Sequence, residues 1–310
     1  MIPILITGAT HFSKFQLAEI GNLGFDVTFI EQEQDEILFD ISKFEIVICN
    51  SLFIFHDILQ FISLKFIQLT SAGYDRLPME YISSKGIKVK NAKGVYSTPI
   101  SEFVIGRIIE IYKHIRTFNE NQRKHIWEKI RDLDELSEKK AMIIGFGDIG
   151  KTIARKLQAF DVEINAVDIR EPSAEELESV SSWSNLNSFK NALPEMDIVI
   201  IAAPSVNSTY HLFNEKTLML MHNESILVNI SRGSLLDLYA LEHFIKQGKF
   251  LGVVLDVFEE EPLNQDSLLW DYPKVYISPH NAFVSKRNIG QLFNCALDNL
   301  MLYQKSIENY

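Results

Sequence analysis

The sequence predicts an α/β protein with mainly parallel sheet, laid down in two successive series. Three observations carry this. Short apolar runs alternate with segments of helical spacing through most of the 310 residues. The runs are β-rich and nearly continuous in apolar character, as strands covered on both faces are. A strand, glycine turn and helix, "AMIIGFGDIGKTIARKLQAF", then restarts the alternation near the middle of the chain.

In the first series the strand candidates are "IPILITGA", "DVTFIE", "FEIVICN", "KFIQLT" and "IKVKNA", separated by segments such as "SKFQLAEIGNLG". From Thr98 to Phe118, apolar residues recur at helical spacing at Ile100, Phe103, Val104, Ile108, Ile111 and Ile115. A stripe this wide predicts a helix packed on two sides, crossing between domains and forming part of a subunit interface. The charged stretch "NENQRKHIWEKIRDLDELSEKK" follows as an exposed arm. The second series comprises "AMIIG", "VEINAVD", "DIVIIAA", "SILVNI", "LGVVLDV" and "VYIS". The tail from Val284 to Tyr310 has helical spacing and no strand, so it is expected to return and pack on the first domain.

Bulk properties narrow the function. The length suffices for two ordinary domains, and 46% hydrophobic with 23% charged residues is a globular composition. A formal net charge of -11 argues against nucleic acid or an anionic membrane surface as partner. Two cysteines, Cys49 and Cys295, are too few for a disulfide framework and fit a reducing compartment. The start lacks a basic leader segment, and "DIVIIAAP" is the length of a buried strand rather than a membrane span. A cytoplasmic enzyme is the expectation.

Gly145, Gly147 and Gly150 match G-x-G-x-x-G between a strand and a helix marked by Ile149, Ile153, Leu157 and Phe160. The first glycine permits the tight turn, the second lets backbone approach a pyrophosphate, and the third lets helix and strand pack closely. The helix N-terminus adds free N–H groups and the positive end of its dipole. The same residues, Gly145 to Thr152, also satisfy the P-loop pattern G-x-x-x-x-G-K-[ST], with "GVVLDVFEE" as a metal-binding strand. Asp168 decides between them. It ends the next strand, about 20 residues after the glycines, where a dinucleotide site places a carboxylate on the ribose hydroxyls. A carboxylate there repels a 2′-phosphate, so NAD is favoured over NADP, although Arg170 nearby leaves NADP open. Lys151 becomes a first-turn helix residue near the pyrophosphate.

In open parallel sheets, ligands bind beyond the carboxyl ends of the strands. Arg232 follows "SILVNI", Asp256 and three glutamates follow "LGVV", and His280 follows "VYISP". Each alone has an ordinary explanation as a surface or solvated residue. Together, on the rim that carries the cofactor loop, they suit hydride transfer between a nicotinamide and a 2-oxo or 2-hydroxy acid. A guanidinium fork matches the substrate carboxylate. A histidine exchanges a proton with the substrate oxygen in either direction, and a carboxylate beside it orients the ring. No H-E-x-x-H, C-x-x-C or G-x-S-x-G occurs and the histidines are scattered, so no metal site is expected.

The pieces "GFGDIG", "VNISRGSLLD", "LDVFEEEPL" and "SPHNAF" resemble, in order and spacing, the D-isomer-specific 2-hydroxyacid dehydrogenases. These include D-lactate, phosphoglycerate and glyoxylate/hydroxypyruvate enzymes. The resemblance covers essentially the whole chain and is most specific from Gly145 to His280. It implies a flavodoxin-like substrate domain over residues 1–97 plus 285–310, and a Rossmann NAD-binding domain over 98–284. It implies that Glu261, immediately before Pro262, partners His280, while Glu259 and Glu260 are solvated. Asp256 is implied to contact the cofactor near the nicotinamide, and Arg232 to hold the substrate carboxylate and polarise its carbonyl. Asp148 and Ile149 would meet the pyrophosphate through backbone, with Ala203, Pro204, Thr209 and Ile230 lining the cofactor. "TSAGYDRL" resembles the substrate loop, whose N–H groups at Ala72 and Gly73 meet the carboxylate; a plain turn after "KFIQLT" is the alternative there. "NAF" after His280 departs from the small residues usual in the family. Formate dehydrogenases of the superfamily carry glutamine where Glu261 stands, so the resemblance points away from formate.

The reading is therefore an NAD-dependent D-2-hydroxyacid dehydrogenase acting on a small acid, homodimeric through Thr98 to Trp127. An NAD(H)-sensing protein on the same fold and a P-loop NTPase are the alternatives.

Overall fold

The computed structural model describes residues 1–308. The chain divides into two compact units, Met1–Tyr96 with Ser285–Tyr310, and Ser97–Val284.

The first unit holds β1 (Ile2–Thr7), α1 (Lys14–Asn22), β2 (Phe25–Ile30), β3 (Ile46–Cys49), α2 (Leu52–Phe55), β4 (Phe66–Leu69), α3 (Met79–Lys85) and β5 (Lys88–Lys90). The strands form one parallel sheet in the order β2-β1-β3-β4-β5, which is the flavodoxin-like order. Alternation along the strands supplies two cores. Ile4, Ile6, Ile46 and Ile48 face one side, and Leu5, Val47, Ile67 and Leu69 face the other. The first of these cores is closed by the C-terminal helix, through Leu292, Phe293, Ala296 and Leu300. The spacing of those four residues is that of one helical face, and Phe293 meets Phe12 edge-on at 5.3 Å.

The second unit begins with α4 (Ser97–Tyr112) and α5 (Ile115–Arg123). The helix expected to run from Thr98 to Phe118 is broken between them, because His114 adopts a left-handed conformation with φ 49°. Beyond the break the expected packed stripe does not continue: Ile115 is 39% exposed and α5 buries no residue. There follow β6 (Lys140–Ile144), α6 (Asp148–Gln158), β7 (Glu163–Asp168), α7 (Ala174–Glu178), β8 (Ser182–Asn185), β9 (Ile198–Ile201), α8 (Glu215–Leu220), β10 (Ser225–Asn229), α9 (Leu238–Lys246), β11 (Phe250–Leu255) and β12 (Val275–Ile277). The last helix of the chain, α10 (Asn288–Glu308), is the one that closes the first unit.

The seven strands of the second unit are parallel, in the order β12-β11-β10-β9-β6-β7-β8. Read from β8, that is the doubly wound dinucleotide-binding order, extended by one strand. The edge strand β8, "SWSN", escaped the sequence reading because it is short and polar. Strand direction of winding reverses between β6 and β9, so the loops after these two strands flank the switch point where ligands bind. Gly252 on β11 lies directly under α4: a Cβ there would stand 2.6 Å from Ile111 Cδ1. Among the described residues, no helix is long and apolar enough to cross a membrane.

Candidate active site

The three glycines after β6 do different things. Gly145 has φ 94°, and a Cβ on it would come within 2.6 Å of Ala203 Cα, so a side chain is excluded twice over. A Cβ on Gly150 would lie 2.2 Å from the Gly145 carbonyl oxygen, which sets how closely α6 approaches β6. Around Gly147 nothing stands within 4 Å of that position, so the backbone is open there. The N–H groups of Gly147, Asp148 and Ile149 reach no acceptor among the described residues and stand at the start of an eleven-residue helix. The Asp148 carboxylate is held from α4 by the Ser97 hydroxyl.

Asp168 sits where β7 ends. Its Oδ2 accepts the Phe146 N–H (2.9 Å), and its Oδ1 accepts those of Ile169 (2.7 Å) and Arg170 (3.3 Å). The first bond ties the acid to the glycine turn itself. Open backbone, free N–H groups and a carboxylate at the neighbouring strand end suit a dinucleotide, with the pyrophosphate on the helix terminus and a ribose on Asp168. Lys151, the lysine of the P-loop pattern, instead pairs with Glu176 at 2.6 Å, and Thr152 donates to the Asp148 carbonyl inside its own helix (2.8 Å).

Beyond β9, Ala203 is the floor under Gly145. Thr209 is buried and closes the following loop, its hydroxyl donating to the Pro204 carbonyl (2.7 Å) and accepting the Val206 N–H (2.9 Å). Ile230 is buried just past β10. Ala203, Pro204 and Thr209 shape the loop at the switch point, and Ile230 the loop after the neighbouring strand.

Arg232 follows in a turn organised by buried Asn229, whose Nδ2 donates to the Arg232 carbonyl (3.0 Å) and whose Oδ1 accepts from Ser231 N–H (3.2 Å). The guanidinium itself donates from Nη1 to the Ser231 carbonyl (2.8 Å). The sequence reading overlooked Gly233. A Cβ there would lie 1.9 Å from the carbonyl carbon of Phe258 and 2.1 Å from the Glu259 nitrogen. The arginine turn therefore presses backbone to backbone on the loop that carries the glutamates.

His280 and Glu261 meet: Nδ1 lies 2.9 Å from Oε2, with both side chains about a third exposed, at 33% and 38%. A carboxylate only accepts, so Nδ1 carries the proton. Nε2 makes no hydrogen bond among the described residues. The other glutamate oxygen accepts the Phe258 N–H (3.0 Å), which fixes the carboxylate.

Asp256, expected at the cofactor, is 2% exposed and directs its oxygens into the histidine loop. Oδ1 accepts from Ser278 Oγ (2.5 Å) and Asn281 N–H (2.8 Å), Oδ2 accepts from Ala282 N–H (3.0 Å), and the Asp256 carbonyl accepts His280 N–H (2.7 Å). The "NAF" segment thus serves through its backbone, while the Phe283 ring meets the imidazole edge-on at 6.0 Å. Glu259, expected to be solvated, pairs with His211 Nε2 at 2.9 Å; Glu260 is exposed.

In the first unit, the N–H groups of Ala72 and Gly73 in the loop after β4 reach no acceptor among the described residues. Their carbonyls are engaged, Ala72 by Asn91 Nδ2 (2.6 Å) and Gly73 by Ser71 Oγ (2.9 Å). Among the described residues no cluster of acids, histidines and cysteines is arranged to hold a metal ion.

Residues 105–282 match the family described as D-isomer specific 2-hydroxyacid dehydrogenase, NAD binding domain. A glyoxylate reductase of Thermofilum pendens is 31% identical over 248 residues, covering 78% of this chain and 73% of that enzyme. A protein of Pyrococcus horikoshii OT3, known from its crystal structure, is 28% identical, with a TM-score of 0.83 over 97% of this chain and 92% of its own. The D-lactate dehydrogenase of Aquifex aeolicus, crystallised with NAD and lactic acid, shares the fold at 21% identity, with a TM-score of 0.80 over 98% and 96%.

Proposed function

Because the chain belongs to the D-isomer specific 2-hydroxyacid dehydrogenase family, we propose that Arg232, Glu261 and His280 are its catalytic residues. The protein is an NAD-dependent oxidoreductase that interconverts a 2-oxo acid and a D-2-hydroxy acid. NADH, when bound, supplies the hydride. The N–H groups of Gly147, Asp148 and Ile149 would hold its pyrophosphate, and Asp168 its adenine ribose. Ala203, Pro204, Thr209 and Ile230 shape the neighbouring wall.

The observation that carries the assignment of roles is the His280–Glu261 contact. With Nδ1 held by the carboxylate, Nε2 is the atom left to give a proton to the substrate oxygen and to take it back in oxidation. Glu261 balances the charge of the imidazolium and keeps the ring from turning. Arg232 clamps the substrate carboxylate through its planar fork and draws charge from the carbonyl. Asp256 acts through the 278–282 loop that it organises, as a positioning residue. The first unit is the substrate domain, with Ala72 and Gly73 in the loop after β4 as its substrate-binding residues. The P-loop reading loses its lysine to Glu176, and a purely sensing protein has no use for an oriented acid–base pair.

The substrate we assign is a small 2-oxo acid of the glyoxylate kind, in line with the name of the Thermofilum relative. The test is NADH consumption with glyoxylate, hydroxypyruvate and pyruvate, followed by chiral analysis of the products that have a stereocentre. Turnover giving D products supports the reading. NADH binding without turnover of any of the three returns the sensing alternative. A homodimer through Thr98 to Trp127 is supported by the exposure of apolar side chains there, with Trp127 98% exposed and no buried residue on α5. Sedimentation of the wild type against Trp127→Glu checks it. The acidic, cysteine-poor composition supports a cytoplasmic location.

A further inference from the structure

Arg170 lies beside Asp168, and both Arg170 and Lys151 pair with one glutamate that the proposed reaction does not use. Glu176 is buried and receives four donors. Its Oε1 is contacted by Lys151 Nζ (2.6 Å) and Arg170 Nη2 (2.7 Å). Its Oε2 accepts from Arg170 Nη1 (2.7 Å) and the Ser173 N–H (2.8 Å). The capping box of α7, Ser173 with Glu176, also holds the carboxylate from the backbone.

Arg170 is held further. Nη2 also donates to the Phe146 carbonyl (3.0 Å) in the glycine turn, and the guanidinium lies over the Trp183 ring at 5.4 Å. Trp183 in turn packs edge-on against Phe146 at 5.5 Å. Cations, glycine turn and Asp168 therefore form one connected patch, with Arg170 Nε 3.8 Å from Asp168 Oδ2.

We infer that Glu176 is a cofactor-specificity residue: it occupies Arg170 and Lys151 so that they do not recruit a 2′-phosphate, and so adds to the exclusion of NADP that Asp168 begins. The inference rests on the assignment of Asp168 to the ribose. With both acids charged, the four side chains sum to zero, and a dianionic phosphate meets no net attraction. Without the Glu176 charge the patch is cationic, with a planar fork and an ammonium that would be available to a phosphate. Asp168 alone is a familiar barrier. The clamp is a second one, built from Lys151 in the first turn of α6 and from Arg170 and Glu176 beyond the next strand.

The test is a pair of binding titrations, NADH and NADPH, read by quenching of tryptophan fluorescence, with the ratio of dissociation constants as the measured quantity. Glu176→Gln keeps the shape and removes the charge. It is expected to shift the ratio toward NADPH by about tenfold at low salt, with the shift shrinking as salt screens it. Adding Lys151→Met to that variant is expected to take most of the gain away. Lys151→Met in the wild-type background leaves Glu176 undercompensated and is expected to move the ratio the other way, which covers the case in which Glu176→Gln does not fold. Ser173→Ala, which loosens the capping box without changing charge, separates a structural role: it is expected to lower stability and leave the ratio in place. NADH binding with an unmoved ratio in the charge variants overturns the inference. Failure of the wild type to bind either dinucleotide overturns instead the cofactor assignment beneath it.

Discussion

Glu261 Oε2 lies 2.9 Å from His280 Nδ1, and the second oxygen of the same carboxylate accepts the Phe258 N–H at 3.0 Å. The glutamate is thus fixed by backbone before it fixes the imidazole. Glu261→Gln keeps a hydrogen-bond acceptor in place and removes the charge that accompanies imidazolium formation. It is expected to lower kcat by about 10²-fold, while His280→Ala, which removes the acid itself, approaches about 10⁴-fold. The dissociation constant for NADH is expected to stay near the wild-type value in both. Steady-state kinetics with fluorescence titration checks the pair. A Glu261→Gln enzyme of full activity would leave the glutamate with a structural task only.

Gly233 makes a different kind of claim, because its side chain is absent by necessity. A methyl group there would overlap the peptide between Phe258 and Glu259, at 1.9 and 2.1 Å from its atoms. Either the arginine turn or the glutamate loop must move. Gly233→Ala is expected to cost about 1–3 kcal/mol in stability, the range for overpacking a tight site. It is also expected to lower kcat/KM, because Arg232 is displaced relative to Glu261. Urea unfolding and substrate kinetics on one preparation test both parts.

Much of this was legible in the sequence, and the boundary has physical reasons. Buried parallel strands announce themselves by apolar runs such as "IVIC" and "IVII", and the glycine turn by its spacing. The edge strand "SWSN" lacked both signals, since an edge strand has little to bury. His114 breaks a helix through one backbone dihedral, which leaves no trace in hydrophobic period. Gly233 matters only because another loop crosses it, and the Glu176 clamp only because β7, α6 and α7 converge. No local pattern reports contacts between segments so arranged. The choice of Glu261 among three glutamates came from resemblance, and the partner of Glu259, His211, was visible only in three dimensions.

Arg232 allows a test that separates charge from shape. Lysine keeps the cation and loses the planar fork. Arg232→Lys is expected to raise KM for the 2-oxo acid and to lower kcat, so that kcat/KM falls by about 10²-fold. NADH affinity is expected to be unchanged. A loss confined to KM would mean that the arginine holds the carboxylate without polarising the carbonyl.

The Glu176 clamp also sets a pH dependence with a definite sign. The Arg170 guanidinium, and after it Lys151 and the Ser173 N–H, hold the Glu176 carboxyl well below its ordinary value of 4.5 despite its burial. A folded-state pKa lowered in this way means that the unfolded chain binds the proton more readily. The stabilisation is therefore complete above the ordinary glutamate value and is lost as pH falls below it toward the folded value. The stability difference between wild type and Glu176→Gln is expected to be flat through neutral pH and to narrow below about pH 4.5, the unfolded-state value. Urea unfolding of the two proteins at a series of pH values measures that difference directly. A gap that widened on acidification would show that the carboxyl is protonated more readily in the folded protein than out of it, and the clamp could not then be an ion pair.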